Sequence, residues 1–291
     1  MNDKGTDAQK KRGVLYLCAT PIGNLGDMTF RAVKVLTDVP LIAAEDTRRT
    51  RELLAHFDIH TRLTSYHEHN KMTKGRELID WLLDGNDLAC VSDAGMPAIS
   101  DPGAELARDA IAHGINVVPV PGASAALTAL IASGLDTSRF SFVGFLPPAK
   151  AKSRRRELLD EIKTHGETLI FYEAPHHLKA TLGDILGALG DREAALCREL
   201  TKKFEEFRRG TLSSLIETLD ENESRGEFVI VVSGAKGDDA PREAAEKKSP
   251  AEMVGELIKG GMTKKDAMRE TAKKLNMSRR DVYREVMMSG E

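Results

Sequence analysis

VSDAGMPAISDPG, Val91 to Gly103, begins as an apolar strand and breaks into a loop rich in glycine and proline. Gly95, Pro97, Pro102 and Gly103 end the strand and let main-chain amides and carbonyls close around a small ligand. A tight turn is the purely structural alternative. A second stretch of the same kind, PVPGASAALTAL from Pro119 to Leu130, carries a strand through a small-residue turn into the start of a helix, where unpaired amides point outward. Two such loops, each ending a neighbouring parallel strand, fall on the edge where open α/β sheets hold ligands.

Upstream, the strand Val14 to Ala19 ends in TPIGNLGD, Thr20 to Asp27, where Pro21 and two glycines let the chain turn sharply. Gly23 and Gly26 lack the G-x-G-x-x-G spacing of a dinucleotide turn, although Glu45 and Asp46 at the end of the next strand could imitate its ribose-binding acid. A Walker lysine loop is absent. Short β-rich runs at 14–19, 41–44, 88–92 and 116–120 alternate with helical patterns such as 30–36 and 72–83, which predicts a mostly parallel sheet covered by helices. After Gly134 the pattern restarts with strands at 140–145, 168–172, 194–197 and 227–232. The segment 205–210 and a helix near 212–219 lie between the last two.

These boundaries give a loose tail over 1–13, an N-terminal α/β domain over 14–134, a second over 135–234 and a charged linker over 235–248. A small helical tail over 249–291 completes the chain. In that tail Ser249, Pro250 and Glu252 read as a capping box, Met253, Val254, Leu257 and Ile258 as an apolar face, and 264–275 with 279–287 as a helix-turn-helix pair. Its nine basic and seven acidic residues leave only +2.

Composition fits this plan. The 291 residues are 41% hydrophobic, 30% charged and 5% aromatic, the balance of a globular enzyme, and the formal charge of −3 requires any nucleic-acid contact to come from local basic patches. The polar start shows no signal-peptide pattern, and no run is long and apolar enough to span a membrane, so a cytoplasmic protein is expected. Cys18, Cys90 and Cys197 are widely spaced and lie in apolar runs, which predicts buried, reduced thiols.

AAEDTRRTR, Ala43 to Arg51, places two carboxylates and then three arginines at a strand-to-helix junction. Asp46 could be a general base or could cap the helix, while Arg48, Arg49 and Arg51 suit phosphates or a solvated face. YHEHN, Tyr66 to Asn70, has two histidines without a third ligand at a recognisable spacing, so no metal is expected.

TPIGNLGD, LIAAEDTRRT, YHEHN, VSDAGMPAISDPG, PVPGASAALTAL, FVGFLPP, TLIFYEAPHHL, LCRELTKKFEEFRRGTL and GEFVIVVSG follow one another in this order. From about Val14 to Gly234 the chain thereby resembles the ribosomal RNA small subunit methyltransferase I family, of the tetrapyrrole methylase-like class. The resemblance implies two consecutive α/β domains of the tetrapyrrole methylase type and a small C-terminal helical domain. It implies a homodimeric enzyme that methylates the ribose 2′-oxygen of a cytidine in 16S rRNA, in the decoding centre of the small ribosomal subunit. S-adenosylmethionine would be held between the domains. Carried over by motif, the donor contacts are Pro21, Ile22, Met96, Ile99, Ser124 and Ala125 from the first domain, and Tyr172, Glu173, Ala174, Leu200 and Phe228 from the second. Met96 stands where related methylases often have Asp or Thr, so its contact is expected through the backbone.

Methyl transfer from a sulfonium needs in-line placement of the nucleophile more than a metal or a covalent intermediate. A ribose hydroxyl gains from a nearby base, for which Asp46, Glu173 and Glu199 are the candidates, with Arg48 and Lys202 positioning or stabilising charge. For the RNA, Arg48, Arg49, Arg51, Lys152, Arg154, Arg155, Arg156, Lys202 and Lys203 are candidate phosphate contacts, together with the pair Arg208 and Arg209. Two alternatives use the same residues differently: methylation of a tetrapyrrole, which needs an open cleft and no clustered arginines, and a non-catalytic RNA-binding protein with a relic pocket.

Overall fold

A computed structural model of the protein describes residues 11–101, 103–219, 226–236, 250–274 and 279–288. Most of the expected tail and linker, the Ser249 cap and the turn at Asn276 and Met277 lie outside the described residues.

The first sheet contains β1 (Val14–Cys18), β2 (Ile42–Ala44), β3 (Leu63–Ser65), β4 (Leu88–Val91) and β5 (Asn116–Val120) in the order β3-β2-β4-β1-β5. All its pairings are parallel. Helices α1 (Phe30–Asp38), α2 (Thr47–His56), α3 (Lys71–Leu83) and α4 (Gly103–Ala112) cover both faces, so β2 and β4 are buried along their whole length. On one face Leu78 and Leu82 of α3 and Leu106 of α4 pack with Leu15 and Leu88. On the other, Ala32 and Leu36 of α1 and Leu54 of α2 pack with Cys18, Ile42 and Val91. β3 is only three residues long, too short to show a period of its own, and is absent from the expected strands.

The second sheet contains β6 (Phe140–Phe145), β7 (Thr168–Glu173), β8 (Glu193–Arg198), β9 (Glu206–Thr211) and β10 (Phe228–Val232), in the order β6-β7-β10-β8-β9. Only β6 and β7 run parallel; the other neighbours are antiparallel. α6 (Lys152–Ile162), α7 (Leu178–Leu189) and α8 (Leu212–Glu217) bury Leu169, Phe171, Leu196 and Ile230 against one face. With the strand period of two, Ile170, Ala195, Cys197, Val229 and Val231 point to the other face. There they meet α5 (Ala125–Ser133) through Ala126, Ala129 and Leu130.

This packing modifies the expected boundary. The chain does turn at Gly134, whose φ of +81° ends α5, but α5 itself lies against the second sheet. Ile22, from the loop after β1, joins the same apolar cluster. The two sheets therefore share one compact unit, which extends to Asp239.

Residues 240–291 form a separate unit. Here α9 (Pro250–Lys259), α10 (Lys264–Lys274) and α11 (Arg279–Met288) meet through Val254, Ala267, Ala272 and Val282. Thr263 caps α10 by accepting from the Asp266 amide at 3.2 Å. Ile258, read from the sequence as part of the apolar face of α9, is exposed.

All three cysteines are buried and free, and burial pushes each thiol up to about 12. No helix among the described residues is long and apolar enough to cross a membrane.

Candidate active site

The carboxyl ends of β1, β2, β4 and β5 open toward β7 and β10 of the second sheet, and the space between is a cleft of about 470 Å³. Its first-sheet wall is made by two crossed loops. The amide of Thr20 donates to the Gly95 carbonyl at 2.9 Å, and the Gly95 amide returns a bond to the Thr20 carbonyl at 3.1 Å. Gly95 has φ +82°, and a Cβ there would sit 3.3 Å from the Ile22 side chain. In the same loop Ala98 and Ser100 are held at φ +73° and +66°, a conformation side chains seldom adopt outside constrained sites.

Nine of the expected donor contacts lie around this cleft: Ile22, Met96, Ile99, Ser124, Ala125, Tyr172, Glu173, Ala174 and Phe228. Ser124 caps α5, and the Tyr172 hydroxyl accepts from the Ala126 amide at 3.1 Å, so a second-sheet side chain pins the helix start that closes the first-sheet wall. Phe142 and Phe145 meet the Tyr172 ring edge-on, with centroids 4.9 and 5.6 Å away.

Two expected contacts fall elsewhere. Pro21 lines an adjoining cavity of about 370 Å³ with Thr20, Gly23 and Lys202, and not the main cleft. Leu200 is buried in the apolar cluster that contains Ile22 and Val229; its side chain supports the wall and does not line it.

The candidate bases differ sharply in their surroundings. Asp46 is the cap of α2: its Oδ1 accepts from the Arg48 amide at 2.8 Å, and the Arg48 guanidinium forks onto both oxygens. The Arg48 side chain first, and its amide second, hold the Asp46 carboxyl down to about 2. Such a carboxylate is a weak proton acceptor, and Arg48 is engaged with it, so the pair is better explained as helix-start structure than as catalytic machinery.

Glu173 is buried at the cleft edge. It accepts from the Ala174 amide at 2.7 Å and from the Thr181 hydroxyl at 2.5 Å. Glu199, at φ +51°, accepts from Lys202 Nζ and from the Glu227 amide, both at 3.0 Å, and does not line the cleft. Burial works against the Lys202 ammonium, but its bonds to Glu199 and Glu227 outweigh it and raise the amine above its ordinary range. Lys202 is therefore a fixed cation that cannot serve as a base at neutral pH. Its stem lies so close to Gly23 that a Cβ there would come within 2.5 Å of it.

Four carboxylates that the sequence does not single out for the chemistry line the cleft: Glu45, Asp93, Asp101 and Glu227. Asp93 accepts from the Asp46 amide and from Arg49, each at 3.0 Å, and Arg49 sits on the wall between the two cavities. Asp101 is half-buried on the same wall as Glu45; burial first, and the Glu45 charge second, push its carboxyl up to about 7. Its position two residues before Gly103, at the end of the quoted loop, was the available signal.

Among the candidate RNA contacts, Arg48, Arg49, Arg51, Lys152, Arg154, Arg156 and Lys203 are exposed. Arg155 is not; it is 8% exposed and bound to Asp184, Thr181 and the Pro147 carbonyl, which removes it from any phosphate-binding face. Arg208 is likewise engaged by Glu206, and Arg209 by the Ala132 carbonyl.

Comparison with known proteins places this geometry among methylases. Residues 14–216 match the family described as Tetrapyrrole (Corrin/Porphyrin) Methylases. Over 273 residues the chain is 53% identical to "Ribosomal RNA small subunit methyltransferase I" of Halalkalibacterium halodurans, covering 94% of each chain. It is 50% identical to the protein of the same name from Bacillus subtilis, covering 93% of each. Among solved structures it is similar to a diphthine synthase, with TM-score 0.57 and 14% identity over 76% of this chain and 90% of that one. A cobalt precorrin-4 methyltransferase gives TM-score 0.57 and 17% identity over 76% and 94%. At these identities the two structures speak for the fold alone.

Proposed function

Because the chain belongs to the ribosomal RNA small subunit methyltransferase I family, within the tetrapyrrole methylases, we propose that it transfers a methyl group from S-adenosylmethionine to ribosomal RNA of the small subunit. The acceptor is the 2′-oxygen of a cytidine in the 16S decoding centre, and the enzyme works as a cytoplasmic homodimer without a metal. The observation that carries this reading is the cleft itself, in which strand-end loops of one sheet face Tyr172 and Phe228 of the other.

The residues present suit such a donor. Apolar walls from Ile22, Ile99 and Phe145 accept a flat purine and a thioether chain, while Glu45, Asp93 and Asp101 favour a cation. When bound, the donor supplies a methyl group on positively charged sulfur. The chain's own part is to orient and to exclude water: the crossed loops fix one wall, Tyr172 fixes the start of α5, and Phe145 forms part of the wall facing them. Arg49 and Lys202, beside the adjoining cavity, are placed to steady the acceptor nucleotide.

RNA is gripped by the exposed arginines of α2 and α6. Arg154→Glu combined with Arg156→Glu is expected to weaken binding of 16S RNA about tenfold at low salt and to flatten its salt dependence, with donor affinity unchanged. Equal RNA affinity across a salt series would remove α6 from the contact surface.

Mapping 2′-O-methyl marks along 16S rRNA in cells with and without this protein tests the reading as a whole. Loss of one cytidine mark is expected, and an unaltered map would reject it. Calorimetry with S-adenosylmethionine tests the donor assignment separately.

A further inference from the structure

At the cleft end of the second sheet, Arg155 of α6, Thr181 of α7 and Glu173 of β7 lie buried together, at 8%, 1% and 8% exposure. The strand period of two turns Tyr172 toward α5, and Glu173 toward the helix-covered face that holds Phe171. A guanidinium and a carboxylate lose more hydration in such a place than an apolar pair would, so their presence calls for a use beyond filling the core.

Their hydrogen bonds show that use. A hydroxyl has a single proton, and that of Thr181 points to Glu173 Oε2 at 2.5 Å, so its lone pairs receive the Arg155 guanidinium at 2.7 Å. Glu173 Oε1 accepts from the Ala174 amide at 2.7 Å. The other terminal nitrogen of Arg155 donates to the Pro147 carbonyl at 2.9 Å, and its Nε to Asp184 at 2.6 Å. Arg155 thereby holds the exits of two neighbouring parallel strands. One is that of β6, two residues beyond Phe145; the other is that of β7, where Ala174 and Pro175 follow. Phe145, Glu173, Ala174 and Pro175 all line the cleft.

Resting on the methyl-donor reading of this cleft, we infer that Arg155 is a positioning residue for methyl transfer, clamping both strand exits into the shape that the donor meets, and that Glu173 is a member of this clamp and not the base. Each oxygen of the Glu173 carboxylate is already engaged, one by Thr181 and one by Ala174. Turning it toward an acceptor hydroxyl would release the turn it holds. The Ala174 carbonyl is occupied as well, by the His177 amide at 3.1 Å, so this turn keeps its main-chain groups for its own shape. Such a wall is formed before the donor arrives, and donor affinity depends on it.

The test separates donor affinity from the rate at saturating donor, using the full chain and small-subunit ribosomal RNA as acceptor. Thr181→Val keeps the shape of the side chain and removes the relay. Calorimetry is expected to show S-adenosylmethionine bound about tenfold more weakly, the worth of one hydrogen bond to a charged group. Thr181→Ser returns the hydroxyl and should restore the affinity. Arg155→Ala should weaken binding at least as much as Thr181→Val, and the double variant no further than Arg155→Ala alone, because both substitutions break one chain of bonds. Glu173→Gln cannot accept from both of its partners, so it too should weaken donor binding. Its methylation rate constant at saturating donor should stay within about threefold of wild type, whereas loss of a base would lower that constant by about 100-fold or more and leave donor affinity alone.

Leu189→Ala, at the far end of α7, separates positioning from loss of stability: it opens the same core and should lower the melting temperature with donor affinity unchanged. Wild-type affinity in Thr181→Val overturns the inference. Should that variant not fold, wild-type affinity in Arg155→Lys, which keeps the charge without the fork, does the same. It is overturned equally by a Glu173→Gln rate lowered about 100-fold at saturating donor, or by Leu189→Ala weakening donor binding as much as Thr181→Val. Failure of the wild-type protein to bind S-adenosylmethionine overturns the underlying reading instead.

Discussion

Replacing Arg155 by alanine is expected to cost about 2–3 kcal/mol of stability and to lower the melting temperature by about 5–10 °C. The reason is the number of partners left behind. Its Nε donates to Asp184 at 2.6 Å, one terminal nitrogen donates to the Pro147 carbonyl at 2.9 Å, and the other to the Thr181 hydroxyl at 2.7 Å. The Thr181 hydroxyl in turn donates a hydrogen bond to Glu173, so the chain of bonds runs from α6 through α7 to the edge of the cleft. Asp184 is half exposed and water can repair part of its loss, which keeps the expected cost below that of a fully buried ion pair. Arg155→Lys keeps the charge but not the three-way fork and should recover only part of the stability. Arg154 and Arg156 flank it on the exposed side of the same helix, and their replacement should leave the melting temperature within about 1 °C. A thermal scan of the three variants decides the matter; equal melting temperatures would refute a structural role for Arg155.

Gly95→Val is expected to weaken S-adenosylmethionine binding about 30- to 100-fold. At φ +82° a β-branched residue is strained by about 1–3 kcal/mol, and its Cβ would lie 3.3 Å from Ile22 and 3.5 Å from the Ala123 carbonyl. Both neighbours belong to loops that shape the cleft. Relief requires the loop to move, which breaks the paired bonds with Thr20 and spreads the wall. Gly95→Ala carries the same φ with less bulk and should give an intermediate loss. Titration calorimetry measures both, and wild-type affinity in the valine variant would show that the crossing does not shape the donor site.

Much of this architecture is legible in the sequence because it rests on local signals. Apolar runs broken by glycine and proline mark β1, β4 and β5 together with the loops that follow them, and the second set of strands restarts after Gly134. β3 escapes because three residues carry no periodicity, and β9 because its two arginines hide a strand inside a charged segment. α5 shows where local signals end: its boundary is visible at Gly134, but its attachment to the second sheet depends on residues 40 to 100 positions away, such as Ile170 and Val229.

The site divides in the same way. Glycine-rich stretches mark the loops that carry Met96, Ile99 and Ser124, and the family resemblance picks out those positions within them, whereas the condition of a charged side chain can depend on partners distant in sequence. Arg155 reads as the middle of a basic run and is buried, because Asp184 and Thr181 lie one helix further on. Asp46 reads as either a general base or a helix cap, and its local partner Arg48 shows the cap. Asp101 reads as a turn residue and shares a cleft wall with Glu45 only when β2 and β4 are laid side by side.

The helix that begins at Ser124 has its first residue in one wall of the cleft and its body in the core beneath the other. Swinging the two sheets apart would have to drag that helix out of its apolar bed or tear Tyr172 from its first turn. Such a joint behaves as a weld and not as a hinge. The width of the cleft is thus set when the chain folds, and whatever binds there meets a gap already formed.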